Sequence, residues 1–315
     1  MSFPTTGTPP GAAGYGNYVM VAAVSHDTRI FYNWWKLGEG GHEWREVEAP
    51  YGLPYTVLAP AVSFIPNVDI ATSLNTFLAI QDLDGNISYN TNGGFGSAFH
   101  GWAPFVGGPP IKVSPAATVS TNTVFGKYDP VILATAPDGH ILYNMGRRNM
   151  GLDGNGWDAT GWMGLGGDVL TDAAPAAALV GDPGAYYLFV AIKGLDNQLY
   201  LNQGGLSGPF VGWRPMNFPY HTNVAPGATS AENTSVVVAT DTDGRIFYTW
   251  WKLGEAGHKW LELEGDGRTD AAPAAALVGE NSDYLFVVVK GPGLDAPLLI
   301  NQGQLGRPFV GWQPL

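Results

Sequence analysis

The sequence predicts an all-β protein, a single six-bladed β-propeller with four-stranded antiparallel blades and threefold pseudo-symmetry of two-blade units. Three observations support this prediction. Segments of two types alternate along the whole chain, a proline recurs about every 50 residues, and the proline spacing closes on itself from the C-terminus to the N-terminus. Each unit consists of short β-branched and aromatic runs separated by Gly, Asp and Asn, without helical periodicity.

Two pairs of nearly identical segments define the alternation. The run TDAAPAAALV stands at 171–180 and again at 269–278. A second template, FYNWWKLGEGGHEWREVE from Phe31, returns as FYTWWKLGEAGHKWLELE from Phe247. The remaining segments follow one of these templates, so a first-type unit (the Phe31 kind) and a second-type unit alternate three times.

Six prolines mark the units, and each precedes a stretch of small residues suited to the strand nearest a crowded axis. They are Pro10, Pro60, Pro115, Pro175, Pro226 and Pro273, with gaps of 50, 55, 60, 51 and 47, and 52 from the last through the C-terminus to the first. A solenoid also repeats at a fixed period but has no reason to close cyclically. We therefore expect one domain over 1–315, with residues 1–9 at the ring closure and blades at 10–59, 60–114, 115–174, 175–225, 226–272 and 273–315.

Hairpin turns are predicted at matching places in four units. Asp-Gly stands at 84–85, 138–139 and 243–244, and Asp-Asn at 196–197. These pairs tolerate the positive φ that tight hairpins need. The same pairs bear on metal binding, because DLDG (82–85) and DTDG (241–244) bring two carboxylates together. We expect no cofactor, and calcium is the weaker alternative, since the turn itself explains these carboxylates.

Composition and charge narrow the class of partner. The net charge of −12 and a pI of about 4.7 disfavour nucleic acid and anionic membrane surfaces. No apolar run approaches the roughly 20 residues of a membrane span, so membrane insertion is not expected. With no cysteine, thiolate metal sites and cysteine nucleophiles are excluded. The N-terminus lacks a classical signal peptide, which leaves a cytoplasmic location and non-classical export as the alternatives. The sequence also leaves open whether the protein forms a homo-oligomer.

The segment YLFVAIKGLDNQLYLNQGGLSGPFVGWRPM (187–216) resembles the repeat of bacterial β-propeller lectins of the Photorhabdus type and is reminiscent of tectonins. The shared features are a hydrophobic strand, a G-x-D turn, an aromatic strand and a closing G-W, and they recur in outline in all six units. The resemblance implies fucose, methylated or galactose-type sugars bound between neighbouring blades against a tryptophan. Known members commonly have seven blades, whereas six are counted here.

The WWKLGE segments supply the first set of candidate ligand residues. An aromatic face stacks on the C–H side of a pyranose while polar groups bind its hydroxyls. The candidates combine these two chemistries and repeat between copies: Trp35, Glu39, His42 and Trp44 in one, Trp251, Glu255, His258 and Trp260 in the next, and Trp157 in the altered third copy. A solvated charged hairpin is the alternative.

The second-type units supply a second set, one tryptophan and one asparagine in each. They are Trp102, Trp213 and Trp312, with Asn90, Asn202 and Asn301. The alternative for the tryptophans is that they are wedges packing blade on blade. For the asparagines the alternative is that each caps its own turn.

Because the same candidates repeat around the ring, the sequence favours a binder over an enzyme, which needs unlike residues in one place. We expect a multivalent lectin whose partners are glycans or glycoconjugates, since weak sites repeated on a rigid ring give high avidity. A protein–protein interaction scaffold is the first alternative. A glycan hydrolase or lyase acting at the central channel is the second.

Overall fold

The computed structural model describes residues 5–47, 56, 58–66, 74–92, 97–105, 108–122, 127–148, 157–159, 161–181, 186–206 and 208–315. Its strands form six antiparallel sheets arranged as blades around an axis, which confirms the predicted six-bladed propeller. Within these ranges no helix is long and apolar enough to cross a membrane.

The first half of the ring contains blades 1 to 3. Their strands, in chain order, are β1 Gly11–Tyr15, β2 Tyr18–Val24, β3 Ile30–Lys36, β4 Arg45–Glu46, β5 Ala61–Pro66, β6 Leu74–Gln81, β7 Ile87–Thr91, β8 Ala103–Pro104, β9 Ala116–Asn122, β10 Lys127–Thr135, β11 Ile141–Arg148, β12 Trp157–Ala159 and β13 Met163–Gly164.

Blades 4 to 6 complete the ring. Their strands are β14 Ala176–Val180, β15 Tyr187–Lys193, β16 Leu199–Gly205, β17 Arg214–Pro215, β18 Gly227–Ala231, β19 Thr234–Thr240, β20 Ile246–Lys252, β21 Leu261–Glu262, β22 Ala274–Val278, β23 Tyr284–Lys290, β24 Leu298–Gln304 and β25 Gln313–Pro314. Each of the six sheets lies inside one of the six segments expected from the proline spacing.

Blade 3 differs from the predicted four strands. Its strand β12 pairs with the end of β11, at Arg148 and Trp157, while β13 pairs with the start of β11, where the other blades place their fourth strand. The chain between the third strand and the last tryptophan of the blade is longer here than in blades 1 and 5. That extra length accommodates the fifth strand.

The strand that follows each proline is the innermost of its blade. Strands β1, β5, β9, β14, β18 and β22 contact one another in sequence around the axis. They are rich in Ala, Gly, Ser and Thr, because larger side chains would collide there. The predicted position of the small residues is confirmed.

The N-terminal segment closes the ring by taking the place of a sixth linker, from blade 6 to blade 1. In blades 3 and 4 the linker after the blade packs on that blade's own hairpin turn, through Thr171 N donating to Gly139 O at 3.0 Å and Thr222 N donating to Asn197 O at 3.0 Å. Thr6 N donates to Ala296 O of blade 6 at 3.2 Å in the same way, although Thr6 precedes blade 1 in the sequence. The cyclic spacing of the prolines therefore has a structural counterpart.

The repeated dipeptide Thr-Asp ties a linker to the blade that follows it. The hydroxyl of Thr269 accepts from Ala271 N at 3.1 Å, while the carboxylate of Asp270 lies 2.6 Å from Nζ of Lys290, which is only 3% exposed. Partial burial alone would raise the pKa of Asp270, but hydrogen bonds from Lys290 and the Gly293 N–H outweigh it and hold that pKa below its usual range. Asp172 and Lys193 pair identically at 2.5 Å in blade 4, which explains why TDAAP recurs unchanged.

The predicted hairpin turns have one φ-positive residue each, at Gly85, Gly139, Asn197 and Gly244. Blade 1 places Thr28 at the matching position, with φ of 65°. A β-branched residue in the left-handed region is strained by its Cβ substituents.

We expect Thr28→Gly to raise the free energy of unfolding by about 0.5–1 kcal/mol, because glycine adopts this φ without strain. The measurement is urea unfolding followed by tryptophan fluorescence. Thr242→Gly is the matched control: Thr242 lies in the blade 5 turn outside the positive-φ region, so glycine there should lower stability. Equal losses for both variants would contradict strain at Thr28.

Candidate functional site

Each blade places one tryptophan immediately before its outermost strand. In chain order these are Trp44, Trp102, Trp162, Trp213, Trp260 and Trp312, and all six are half-buried. The candidates assigned to different unit types in the sequence thus occupy one structural position. The double tryptophans of WWKLGE lie one strand further in, on β3 and β20.

Every one of these six side chains packs against the preceding blade. Trp213 joins the cluster between blades 3 and 4, and its Nε1 donates to Gly166 O at 3.0 Å. Trp312 belongs to the cluster between blades 5 and 6. A Cβ on Gly267 would lie 2.4 Å from the Trp312 ring, so the indole covers a position that only glycine can occupy. Trp102 packs in the same way between blades 1 and 2.

The three second-type asparagines are fully buried, with no exposed surface. The side-chain oxygens of Asn90, Asn202 and Asn301 accept from the backbone N–H of Gly101, Gly212 and Gly311 at 3.1, 3.0 and 3.0 Å. Those glycines immediately precede Trp102, Trp213 and Trp312. The asparagines therefore hold the glycine-tryptophan turn in place, and their amides do not reach the solvent.

Adjacent tryptophans of the WWK strands face opposite blades, because successive side chains on a strand point to opposite sides. Trp251 packs toward blade 4, with its ring centroid 5.4 Å from that of Phe189, while Trp250 packs toward blade 6. Trp35 faces blade 6, where its centroid lies 5.8 Å from that of Phe286. A double tryptophan thus serves both neighbouring interfaces at once.

The histidines of the two loops stack on the first tryptophan of each pair. The ring centroids of Trp250 and His258 lie 4.1 Å apart with an interplanar angle of 14°, and those of Trp34 and His42 lie 3.8 Å apart at 36°. In blade 5 the loop is further held by Thr249 Oγ1, which donates to His258 O at 2.8 Å. Glu255 and Lys259 project from this ordered loop as exposed side chains.

A cleft of about 660 Å³ opens between blades 4 and 5, and it contains all four candidates of the second WWKLGE copy. We call it the 4/5 cleft. Blade 5 contributes Trp251, Glu255, His258, Lys259 and Trp260, and blade 4 contributes Leu201, Gln203, Val211 and Arg214. Trp251 is 8% exposed and forms part of the inner wall, whereas Trp260 is half-buried, with its Nε1 donating to Met216 O at 3.2 Å.

Sequence reasoning singles out Gln203 as a residue that could bind a sugar hydroxyl, but it does not place blade 4 against the WWKLGE loop and it misses Arg214. Gln203 and Arg214 come from the third and fourth strands of the blade before the WWKLGE loop, about 50 residues earlier in the chain. The signal was available in one form, because Arg214 directly follows the candidate Trp213. The sequence does not show which face of blade 4 packs against blade 5.

The first WWKLGE copy occupies the equivalent place between blades 6 and 1, which we call the 6/1 junction. Trp35 and Trp44 pack there with Ile300 and Leu315 of blade 6, as Trp251 and Trp260 pack with Leu201 and Met216. Glu39 and His42 stand at the positions of Glu255 and His258. The ring closure thus brings the same types of residue together between blade 6 and blade 1.

The third copy departs from this pattern. Gly146 of β11 stands where the other copies have Trp35 and Trp251. Trp157 lies in the additional strand β12, and its side chain is outside the described residues.

The two acidic turns considered for calcium are engaged within themselves. Asp82 Oδ1 accepts from the backbone N–H of Asp84 and Asn86, and Asp241 pairs with Arg245 at 2.6 Å. Over the ranges that the structure describes, no group of three or more His, Cys, Asp or Glu gathers in a metal-binding arrangement. Calcium binding stays an untested alternative.

The central channel has a cavity of about 510 Å³ at the end where the six prolines lie. Its lining is mostly alanine, proline and glycine. Asp270 is the one carboxylate among the described residues that line it, and Lys290 already pairs with that group. Glycoside hydrolysis ordinarily needs two carboxyl groups across the scissile bond, and this mouth of the channel does not present such a pair.

No family model and no curated protein matches the sequence. Solved structures do match, and several of them are lectins. The fucose-specific lectin from Aleuria aurantia has a TM-score of 0.67 at 14% identity, over 99% of this chain and 97% of its own. SapL1 lectin, solved with α-methyl fucoside, has a TM-score of 0.64 at 15% identity, over 99% and 96%. BP39L lectin from Burkholderia pseudomallei has 0.63 at 14%, over 99% of both chains.

The likeness shows the fold. Although the sequence identity is low, the structural similarity covers the whole ring. The Aleuria lectin is itself described as a six-bladed β-propeller. The number of blades therefore agrees with the Aleuria lectin, whereas the Photorhabdus-type lectins that the sequence resembles commonly have seven.

Asn202 and Gln203 test the division between structural and ligand-facing residues, since they are neighbours on β16 and Asn202 is fully buried whereas Gln203 is only half-buried. We expect Asn202→Ala to lower the free energy of unfolding by about 2–4 kcal/mol, because it leaves a cavity and removes the acceptor for Gly212 N. Gln203→Ala should change stability by less than about 0.5 kcal/mol. Urea unfolding of both variants is the measurement, and similar stabilities would contradict the structural role of Asn202.

Proposed function

We propose that this protein is a multivalent lectin that binds sugars between neighbouring blades, with strong sites in the 4/5 cleft and at the 6/1 junction. The observation that carries the proposal is the 4/5 cleft, where two tryptophans and several uncommitted polar groups converge. The same residue types recur at the 6/1 junction, one third of the way around the ring.

The chemistry of the 4/5 cleft suits a pyranose. Trp251 and Trp260 form an aromatic wall for the C–H face of a sugar, as aromatic residues commonly do in sugar sites. The side chains of Gln203, Arg214 and Glu255 make no hydrogen bond or ion pair with any residue that the structure describes. Their donors and acceptors are therefore available for hydroxyl groups.

The ligand class follows by analogy from the similar structures. The Aleuria lectin is fucose-specific and SapL1 was solved with a fucoside, so we expect fucose or a galactose-type sugar here. Kinship with the Photorhabdus-type lectins is part of the same proposal. The similar structures are named as lectins rather than enzymes, and the channel mouth offers one paired carboxylate, so we expect no glycan turnover.

Repetition of the site favours binding to surfaces rather than to free sugars. Two sites fixed on one rigid ring raise the effective concentration for a second contact once the first has formed. A protein-binding scaffold is the second candidate, and the same cleft would be its docking site. Competition by free monosaccharide distinguishes the two.

We expect Trp260→Ala to abolish one class of sites and Trp44→Ala the other, so that each variant binds about half as much ligand as the wild type and the double variant binds none. The measurement is a glycan array followed by calorimetric titration with methyl α-L-fucoside or the best array ligand. The wild type should bind about two ligands per chain.

Trp102→Ala is the matched control, because Trp102 holds the same position in blade 2 but belongs to neither site. It should lose stability like the other variants and keep its binding capacity. Circular dichroism establishes that each variant is folded. A blank array with an intact fold would reject the lectin, and capture of a protein partner unaffected by free sugar would establish the scaffold instead.

A further inference from the structure

The two sites provide a comparison within one molecule. Their framework is nearly identical: a G-H-x-W segment ending on Trp44 or Trp260, an inner tryptophan at Trp35 or Trp251, and a conserved-length loop between them. The preceding blades also match, in FVGWQPL (309–315) and FVGWRPM (210–216). Because the framework is the same, a difference in ligand binding between the two sites would come from the residues that differ at the lining positions.

That difference is concentrated in charge. The 4/5 cleft has Arg214 on blade 4 and Lys259 on blade 5, and both line the cavity. The matching positions of the 6/1 junction are Gln313 and Glu43. Glu255 and its counterpart Glu39 are common to both, so the 4/5 lining has two cations and one carboxylate, whereas the 6/1 positions have two carboxylates and no cation.

Neither substituted position is explained by folding. Arg214, Lys259, Glu43 and Gln313 are all exposed, and none makes a side-chain hydrogen bond or ion pair with another described residue. Some other cations of the protein do have such partners, as Arg29 does in Asp27 and Arg245 does in Asp241. Arg214 and Lys259 line the same cavity, and the single carboxylate there, Glu255, cannot neutralise both cations. Such a pair of cations is suited to binding an anionic group of a ligand.

The overall charge of the protein does not prevent this. The net charge of −12 acts over the whole surface, but at physiological ionic strength charges separated by more than roughly 8 Å of solvent are largely screened. A ligand seated in the cleft therefore responds mainly to Arg214, Lys259 and Glu255, which line it.

We infer that the two sites differ in the sugars they accept: the 4/5 cleft accepts neutral sugar but prefers an acidic glycan, bearing a carboxylate or a sulfate, whereas the 6/1 junction accepts neutral sugar and rejects acidic sugar. This inference rests on the proposed lectin function. It makes the ring heterobivalent, so that a glycan surface presenting both neutral and acidic residues is bound with higher avidity than a surface presenting either one.

The test uses four methyl glycoside probes: α-L-fucoside, galactoside, galacturonide and galactoside 6-sulfate. The last three share one ring and differ only at C6, so they isolate the effect of charge and separate carboxylate from sulfate. Binding is followed by titration with the folded full-length protein. We expect the wild type to bind at least one acidic probe, and this binding to weaken several-fold between about 50 and 500 mM NaCl, while neutral binding changes little.

Charge exchange between the sites provides the matched variants. In R214Q/K259E the 4/5 cleft acquires the residues of the 6/1 junction, and we expect acidic-probe affinity to fall about tenfold or more while neutral binding persists. In the reciprocal variant, Glu43→Lys with Gln313→Arg, a second acidic site should appear. Because each replacement already occurs at the equivalent position of this chain, both variants should fold.

The outcomes are distinguishable from those of the lectin proposal. Binding of the neutral probes with no acidic binding, or acidic binding unchanged in R214Q/K259E, would overturn the inference and leave the lectin intact. A wild type that binds none of the probes or array glycans would overturn both.

Discussion

Both faces of every blade are buried against another blade, and the rest of the structure depends on this constraint. A β-sheet with two apolar faces is not stable alone in water, and a ring is the arrangement in which every such face finds a neighbour. The first blade must therefore meet the last. Thr6 and the residues after it supply the linker that blade 6 would otherwise lack.

The candidate sites follow from the same burial. Each blade inserts a tryptophan between itself and its predecessor, and between blades 4 and 5 a cleft opens beside it. In the 4/5 cleft, Trp251 and Trp260 are at once packing residues and the walls of the cavity. The two explanations considered from the sequence, a blade wedge and a ligand contact, are thus compatible at one residue.

The sequence was sufficient for the fold, because a propeller repeats its local signals six times. The prolines, the positive-φ turns and the small inner strands are all short-range patterns. The site was only half predictable. Glu255 and His258 stand beside tryptophans in the chain, but Arg214 and Gln203 reach the cleft from another blade, which requires knowing which faces meet. Asn202, in contrast, was a candidate ligand residue but is buried in the fold. An asparagine that recurs in each second-type unit is also typical of a buried hydrogen bond to a turn, here to Gly212 N.

Comparison of the repeats separates these roles better than residue type does. Where a residue serves the fold, every copy faces the same constraint, and Thr171 and Thr269 with their aspartates are unchanged between blades 4 and 6. Where a residue faces only solvent or ligand, the copies are free to diverge, and Arg214 and Lys259 have become Gln313 and Glu43 within segments that are otherwise almost identical. These positions make no side-chain hydrogen bond or ion pair with another described residue, so the fold does not constrain their charge. A change of charge at such positions, within otherwise matching segments, is therefore better explained by the ligand than by the fold.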